Sequence, residues 1–179
     1  GAPVIAVFDN LLPDNQDIRR RLAERSQAEG ADLYSLLAAI GRDCVGALQF
    51  MPDGTEVTAI GPIEARAIAD EDIAALLNDL GRSPLGIGND REFRISIAGA
   101  QEKTALLFWN DKWHIPHGTT ATTHILKPEI GRLPNGIDMS QSVENEYFCM
   151  KVIAALGMPV ADVAMAAFAG KKALVVERF

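Results

Sequence analysis

One stretch in the second half of the chain decides the fold: Phe93-Arg-Ile-Ser-Ile-Ala-Gly-Ala-Gln-Glu-Lys-Thr-Ala-Leu-Leu-Phe-Trp109. Apolar and polar residues alternate from Phe93 to Ile97, which is the period-two pattern of a half-buried strand. The small residues 98–100 predict a tight connection, and Thr104–Trp109 predicts the returning strand. Because small residues let backbone N–H groups come close to phosphate oxygens, this hairpin is compatible with a nucleotide phosphate site as well as with a plain turn.

The residues that follow the hairpin predict the rest of an antiparallel sheet. Lys112–Ile115 and Thr122–Lys127 have the pattern of two further strands, and Ser140–Leu156 has that of a helix closed by a glycine. Val163–Phe168 and Lys172–Glu177 predict a final hairpin around another glycine. This order of strands, one helix and two strands predicts a small antiparallel sheet with one helix against one of its faces.

The first half of the chain is predicted to be mainly helical. Val4–Phe8 predicts a short strand, and Asp14 is a candidate N-cap for a helix that runs to about Gln27. Leu33–Ile40 and Asp70–Leu80 predict two more helices from the spacing of their apolar residues. Helices therefore dominate the first half, in contrast to the strand-rich second half.

A stretch rich in turn-forming residues, Ser83–Asp90, separates these two halves. We therefore predict an α+β fold with two parts. Residues 1–85 form an N-terminal mixed α/β subdomain, and residues 86–179 form a small antiparallel sheet plus one helix.

The composition narrows the class of protein. With 48% hydrophobic residues among 179, the chain can bury a core. Seventeen Lys and Arg against 24 Asp and Glu give a net charge of -7, which argues against direct nucleic-acid binding because phosphate neutralisation needs clustered basic residues. The longest mostly apolar stretch, Met158–Gly170, is too short to span a bilayer, so no membrane contact is predicted. Two distant cysteines, Cys44 and Cys149, predict reduced core thiols and a cytoplasmic location.

A lysine at the end of a predicted strand is the candidate phosphate ligand, and it needs an acidic partner to orient it. Lys127 has this position, and the predicted helix offers Glu144 and Glu146. At about 100° per residue, Glu146 lies roughly 40° from the apolar direction of the helix and Glu144 roughly 120° from it. We therefore predict that Glu146 points toward Lys127 and Glu144 toward water. Two alternatives stay open: Glu146 pairs with Lys151, or it remains in water.

Several separated segments of the chain form one recognisable set: Phe8–Asp14, Ile40–Gly46, Arg94–Lys103, Thr122–Lys127, Ser140–Glu146 and Val176–Phe179. Together they resemble the HipA family of serine/threonine protein kinases, the toxins of a bacterial toxin–antitoxin pair. The resemblance covers nearly the whole chain, and its motifs fall in the order in which the family has them.

The resemblance implies that residues 86–179 form a kinase-like N-lobe that binds ATP with Mg²⁺. It implies that Lys127 is the nucleotide-binding lysine and that Ser96 is an autophosphorylation site, although the alternation alone makes Ser96 an ordinary outward strand residue. The residues implied for ATP in the phosphate loop are Ala98, Gly99, Ala100, Gln101, Glu102 and Lys103. Those implied in the hinge strand, which would hold the adenine through backbone groups, are Glu177, Arg178 and Phe179.

The resemblance also implies a function and partners. Such kinases transfer the γ-phosphate of ATP to a serine of a protein, here by resemblance glutamyl-tRNA synthetase, and so cause growth arrest and persistence. The implied partner is a HipB-type DNA-binding antitoxin. In this family the catalytic residues and Mg²⁺ ligands follow the hinge, so we expect this chain to be a fragment, inactive alone. The alternative is a non-catalytic module that binds the antitoxin or regulates.

Overall fold

The computed structural model describes residues 2–44, 48–51, 53–54, 62–80, 101–133 and 135–178. Helices occupy its first part, and strands with one long helix occupy its second part. In chain order the elements are α1 (Ala2–Asp9), α2 (Gln16–Ser26), α3 (Leu33–Ile40), β1 (Ala65–Ala67), α4 (Asp70–Asp79), β2 (Thr104–Trp109), β3 (Lys112–Pro116), β4 (His124–Pro128), β5 (Gly131–Arg132), β6 (Asp138–Met139), α5 (Ser142–Ala155), β7 (Val163–Phe168) and β8 (Lys171–Glu177).

Helix α1 occupies the segment for which the sequence predicted a strand. The prediction of a strand for Val4–Phe8 was wrong: the segment is helical, although its β-branched residues favour strands. The Phe8 ring meets the Phe50 ring edge-on with centroids 5.3 Å apart. At the end of the helix, the Asn10 amide Nδ2 donates to the carbonyl of Ala6 at 3.1 Å. Phe8, near the end of α1, thus packs against the core, while Val4, Ile5 and Val7 remain exposed.

Helix α2 begins one residue later than predicted. Asn15, rather than Asp14, is its N-cap, and its Oδ1 accepts hydrogen bonds from the N–H groups of Asp17 (2.8 Å) and Ile18 (3.4 Å). These bonds satisfy amide groups that the first turn of a helix leaves without intrahelical partners. The helix ends as predicted at Gln27, whose left-handed backbone closes it.

A buried arginine ties α2 to the end of α1. Arg19 is only 6% exposed. Its Nη1 donates to Oδ1 of Asp9 at 2.7 Å and its Nε donates to the carbonyl of Pro13 at 2.6 Å. The loop between the two helices is therefore fixed by one guanidinium group.

The strands form a six-stranded antiparallel sheet in the order β1-β3-β2-β4-β8-β7, and β5 and β6 form a separate two-stranded sheet. The predicted strands Thr104–Trp109 and Val163–Phe168 are confirmed at both ends. The sequence did not predict β1, β5 or β6, which have two or three residues each and are too short to show an alternating pattern. The α+β fold class is confirmed.

The large sheet has the single helix α5 on one face and the helices α2, α3 and α4 on the other. On β8, Leu174 packs with Val143 of α5 in a small core on one face. Its neighbour Val175 belongs to the larger core on the other face, together with residues of α2, α3 and α4 such as Leu22 and Leu36. Because successive residues of a strand point to opposite faces, β8 contributes to both cores. The sheet is thus covered on both sides at the strands that carry the candidate site.

Besides α2 and α3, whose residues share the larger core, β1 and α4 also contact the sheet. Strand β1 pairs with β3 at its edge, and α4 contacts β7 and β8. The predicted boundary, Ser83–Asp90, lies outside the described residues. The division into residues 1–85 and 86–179 therefore stays a prediction.

Two further expectations concern the helices and the cysteines. Within the described ranges, every helix is too short or too polar to cross a membrane. The Cys44 thiol is buried, as predicted, and donates to the carbonyl of Gly41. The prediction for Cys149 was wrong, since this thiol is exposed on the outer side of α5.

Candidate functional site

A lysine on the sheet forms an ion pair with a glutamate on the helix that covers it. Lys127 lies on β4, and its Nζ donates to Oε1 of Glu146 on α5 at 2.6 Å. The two side chains are 22% and 33% exposed, so the pair is reachable from solvent without being surrounded by it. Lys151 does not compete for Glu146, because its Nζ lies over the ring of Tyr147, 5.3 Å from the centroid. The structure thus brings together the two residues that the sequence proposed as partners.

Strand register and helical spacing explain why these two side chains meet. Lys127 lies opposite Leu174 in the pairing of β4 with β8. Leu174 packs against Val143 of α5. Glu146 follows Val143 by three residues, about one helical turn, and therefore emerges on the same side of the helix.

A second lysine lies beside the first. The pairing of β2 with β4 places Thr104 opposite Leu126, and Lys103, directly before β2, lies close enough to Lys127 to feel its charge. Lys103 is 7% exposed. Burial first, and then the positive charge of Lys127, lower the pKa of Lys103, while Asp14 and Glu146 act in the opposite direction. Two neighbouring cations with one carboxylate between the layers are suited to a polyanionic ligand.

The other residues predicted for the phosphate loop are only partly described. The Gln101 amide Nε2 donates to the carbonyl of Pro128 at 3.3 Å, which ties the end of the loop to β4. The Glu102 side chain is exposed. The remaining predicted loop residues and the predicted autophosphorylation site lie outside the described residues: Ala98, Gly99, Ala100 and Ser96.

The predicted hinge follows directly from β8. The N–H of Glu177 donates to the carbonyl of Asp162 at 2.9 Å, and the N–H of Arg178 donates to that of Thr123 at 2.8 Å. Because both backbone N–H groups already donate hydrogen bonds within the fold, Glu177 and Arg178 can contact a nucleotide base through their carbonyl oxygens. Phe179 lies outside the described residues.

An open cleft of about 480 Å³ adjoins the predicted hinge. Leu174 of β8 lies opposite Lys127, and Glu177 is three residues further along the same strand. At the usual rise of a strand, Glu177 is therefore about 10 Å from Leu174. This separation is within the reach of an extended nucleoside triphosphate. The residues that line the cleft are Pro159, Val160, Ala161, Asp162, Glu177 and Arg178.

A buried polar cluster joins the hinge to the N-terminal part of the chain. Asp43 Oδ2 accepts hydrogen bonds from Arg178 Nη1 (2.8 Å), from the Thr122 hydroxyl (2.6 Å) and from the Thr122 N–H (3.0 Å). Arg178 Nη2 donates to the carbonyl of Cys44 at 2.7 Å. The sequence analysis missed Asp43 and Thr122, although both lie in segments that resemble the HipA family. No pattern in the sequence links residues so far apart.

The prediction that Glu144 points toward water was wrong. Its carboxylate accepts a hydrogen bond from Lys172 Nζ on β8, which raises the pKa of Lys172 and lowers the pKa of Glu144. The long lysine side chain reaches across from the sheet to the side of α5. Both side chains are about 40% exposed, so this pair is a more solvated counterpart of Lys127–Glu146.

His124 is a packed side chain of β4, as the sequence suggests for a histidine in a strand. Its ring lies edge-on to the ring of Trp113, with centroids 5.2 Å apart, and its Nδ1 is 2.8 Å from the Thr123 hydroxyl. Burial lowers the pKa of His124, although the carboxylate of Glu177, opposite on β8, acts against the shift. The neutral imidazole is therefore the form that the fold favours.

This histidine makes stability depend on pH. Above the ordinary pKa of 6.5, the imidazole is neutral in both the folded and unfolded states. As the pH falls below that value, the unfolded state takes up a proton that the folded state resists, so stability is lost. We expect the free energy of unfolding to fall between pH 7.5 and pH 5.5, and His124→Asn to flatten this part of the curve. Urea unfolding of the original chain and of His124→Asn at several pH values measures the free energy of unfolding. If it depends on pH equally in both proteins, His124 is not the group responsible.

A strand lysine paired with a glutamate of the helix beneath a sheet is the arrangement of protein kinases. The Lys127–Glu146 pair thus resembles the lysine–glutamate pair of that class of enzymes. Sequence models of two HipA domains match the chain: the HipA N-terminal domain matches residues 1–51 and the HipA-like C-terminal domain matches residues 95–179. The chain belongs to the HipA family, as its motifs indicated.

Relatives of known name agree with this assignment. The chain is 35% identical over 175 residues to Y4mE of Sinorhizobium fredii, a protein named as a kinase. It is 33% identical over 172 residues to the serine/threonine-protein kinase toxin HipA of Shewanella oneidensis. These alignments cover 96% and 95% of this chain but 40% and 36% of the relatives. The chain therefore spans well under half of their length.

A solved structure shares the fold. It is the complex of HipA, HipB and operator DNA from Shewanella oneidensis, and the match has a TM-score of 0.70 at 30% identity. It covers 98% of this chain and 38% of the chain matched. The helical N-terminal part and the sheet thus recur together in that protein.

Proposed function

We propose that this chain is the ATP-binding lobe of a HipA-type serine/threonine protein kinase. The observation that carries the proposal is the Lys127–Glu146 ion pair, with Lys103 close to both residues. Phosphoryl transfer depends mainly on positioning and charge stabilisation, and a lysine held by a helix glutamate supplies both to the phosphates.

Each residue of the proposed site has a separate task. Lys127 contacts phosphate oxygens as a point charge, and Glu146 holds its ammonium group in place when no nucleotide is bound. Lys103 adds a second positive charge at the end of the phosphate loop. The carbonyl groups of Glu177 and Arg178 offer acceptors to the adenine amino group beside the cleft. The base and the phosphates would thus be recognised by different strands.

Mg²⁺ accompanies ATP in the family, but the described residues do not supply a site for it. Among them, no group of three or more His, Cys, Asp and Glu is placed to hold a metal ion. We assign no step to the metal in this lobe. Its protein ligands, like the catalytic residues, are proposed to belong to the part of the whole protein beyond the hinge.

The activity of the whole protein is proposed from the family. It would transfer the γ-phosphate of ATP to a serine of a protein, with glutamyl-tRNA synthetase as the substrate that the resemblance implies, and so cause growth arrest and persistence in the cytoplasm. Ser96 would be its autophosphorylation site. A HipB-type antitoxin would be its partner, in line with the HipA–HipB–DNA complex found for the structural relative.

A second candidate is a non-catalytic module that binds the antitoxin. The likeness to a HipA chain solved together with HipB favours it. The two candidates differ in nucleotide binding. Capture of this chain by a HipB-type antitoxin, without affinity for ATP, would support the module and exclude the nucleotide-binding lobe.

Calorimetric titration of the chain with ATP tests the proposed function. We expect saturable binding that ADP competes for, because both the base and the phosphates find partners in one lobe. Inorganic sulfate at the same ionic strength serves as the control for unspecific attraction to the lysines. Heat that is identical for ATP and sulfate would contradict the proposal.

A further inference from the structure

The buried cluster around Arg178 has features that packing alone does not require. The side chains of Asp43 and Arg178 are 10% and 11% exposed, and Thr122 is 5% exposed. Removing two charges from water costs free energy, and apolar residues of the same size often stabilise a fold equally well. Such a buried ion pair is better suited to holding the chain in one conformation than to adding stability.

The arrangement that it fixes is that of the hinge. Arg178 is held through two guanidinium nitrogens, Nη1 by Asp43 and by the Thr122 hydroxyl, and Nη2 by the Cys44 carbonyl. A planar guanidinium bound at both ends cannot rotate about its own axis. The cluster therefore holds the side chain of Arg178 against a segment more than 130 residues earlier in the chain.

The backbone of the same residue is held from another side. The N–H of Arg178 donates to Thr123, the residue after Thr122, so one short segment contacts both the backbone and the side chain. Arg178 and Glu177 also line the cleft beside the hinge. Any displacement of Asp43 would thus be passed to the residues proposed to receive the base.

We propose that Asp43 is a positioning residue for the nucleotide base, acting through Arg178. This inference rests on the proposed ATP-binding function and extends it to the N-terminal part of the chain. Asp43 does not touch the nucleotide. It holds the hinge in the conformation that accepts adenine, so its loss should weaken binding of the base while leaving the phosphate contacts of Lys127 intact.

The test compares Asp43→Asn with Asp138→Asn in the full chain. Asn keeps the size of the side chain but removes the charge that Arg178 needs. Asp138 forms an exposed ion pair with Arg132 in the small second sheet, so it is a matched control. Two quantities are measured: hydrogen exchange at the amides of Glu177 and Arg178, and affinity for ATP against affinity for inorganic tripolyphosphate.

For Asp43→Asn we expect exchange at the two amides to accelerate about tenfold or more, as a local opening becomes easier. We expect ATP affinity to fall by about fivefold to tenfold, because a loosened hinge must be ordered on binding. Affinity for tripolyphosphate should not change, and Asp138→Asn should resemble the original chain in every measurement.

Other outcomes separate the inference from the proposed function. Unchanged exchange and unchanged ATP affinity would overturn the inference alone, as would an equal loss of ATP and tripolyphosphate binding. If the original chain binds tripolyphosphate but shows no preference for ATP, both the adenine site and the role of Asp43 are refuted. Should Asp43→Asn not fold, Arg178→Lys replaces it, since lysine keeps the charge but cannot bind Asp43 and Cys44 together. For this variant we expect the same results as for Asp43→Asn, and the same outcomes would contradict the inference.

Discussion

Lys127→Ala is expected to lower the affinity of the chain for ATP by about tenfold to a hundredfold. A hydrogen bond to a charged group contributes about 1.5–3 kcal/mol, which corresponds to this range. The substitution also leaves the Glu146 carboxylate without its 2.6 Å partner, next to the position proposed for the phosphates. Repulsion between like charges then adds to the loss.

Lys172→Ala is the matched control for this result. It removes the same side chain from the other lysine–glutamate pair between β8 and α5, which is more exposed and away from the proposed phosphate contacts. We expect ATP affinity to stay within about twofold of the original, since exposed ion pairs contribute little. Calorimetric titration with ATP measures the affinity of the original chain, of Lys127→Ala and of Lys172→Ala. Equal losses for both variants would show that general charge, rather than Lys127, attracts the nucleotide.

Leu126→Ala is expected to lower the free energy of unfolding by about 2–5 kcal/mol, the usual cost of a cavity in a well-packed core. Leu126 is fully buried on β4, beside Lys127, in the core shared by the N-terminal helices and the sheet. Urea unfolding followed by circular dichroism measures the change. Because the helices and the sheet share this core, we expect both to unfold in a single transition.

The control for Leu126→Ala is Met165→Ala on β7, a side chain that is 46% exposed. Its effect should stay within about 0.5 kcal/mol, as for most surface substitutions. A loss below about 1 kcal/mol for Leu126→Ala would contradict the assignment of this residue to the centre of the core. So would helices that melt separately from the sheet.

The strands were the most predictable part of the fold. Thr104–Trp109 and Val163–Phe168 have the predicted bounds because turn residues flank each of them, such as Asn110 and Asp111, which adopt left-handed backbone conformations. Helix α1 was not predictable from local pattern. Val4, Ile5 and Val7 have the β-branched side chains that favour strands, yet the segment is helical and only Phe8 among these four packs against Phe50.

The part of the site that was predictable from the sequence is the position of Glu146, which depends on the geometry of the single helix α5. The angle of Glu146 from the apolar face of α5 favoured Lys127 as its partner, and the structure decides for it against Lys151 and water. The same angle failed for Glu144, because it describes where a side chain starts and not how far Lys172 can reach toward it. The Asp43–Arg178 contact could not be found in this way, since it depends on how the N-terminal segment lies against the sheet.

In the proposed complex, one lobe binds the base at the hinge and the phosphates at Lys127. Backbone amide NMR of the chain during titration with ATP tests it most directly. We predict that the shifts that change most belong to residues 103, 127, 146, 177 and 178, with little change at the exposed Lys172–Glu144 pair. Spectra that stay unchanged up to millimolar ATP, or shifts confined to residues away from β4, β8 and α5, would contradict this arrangement.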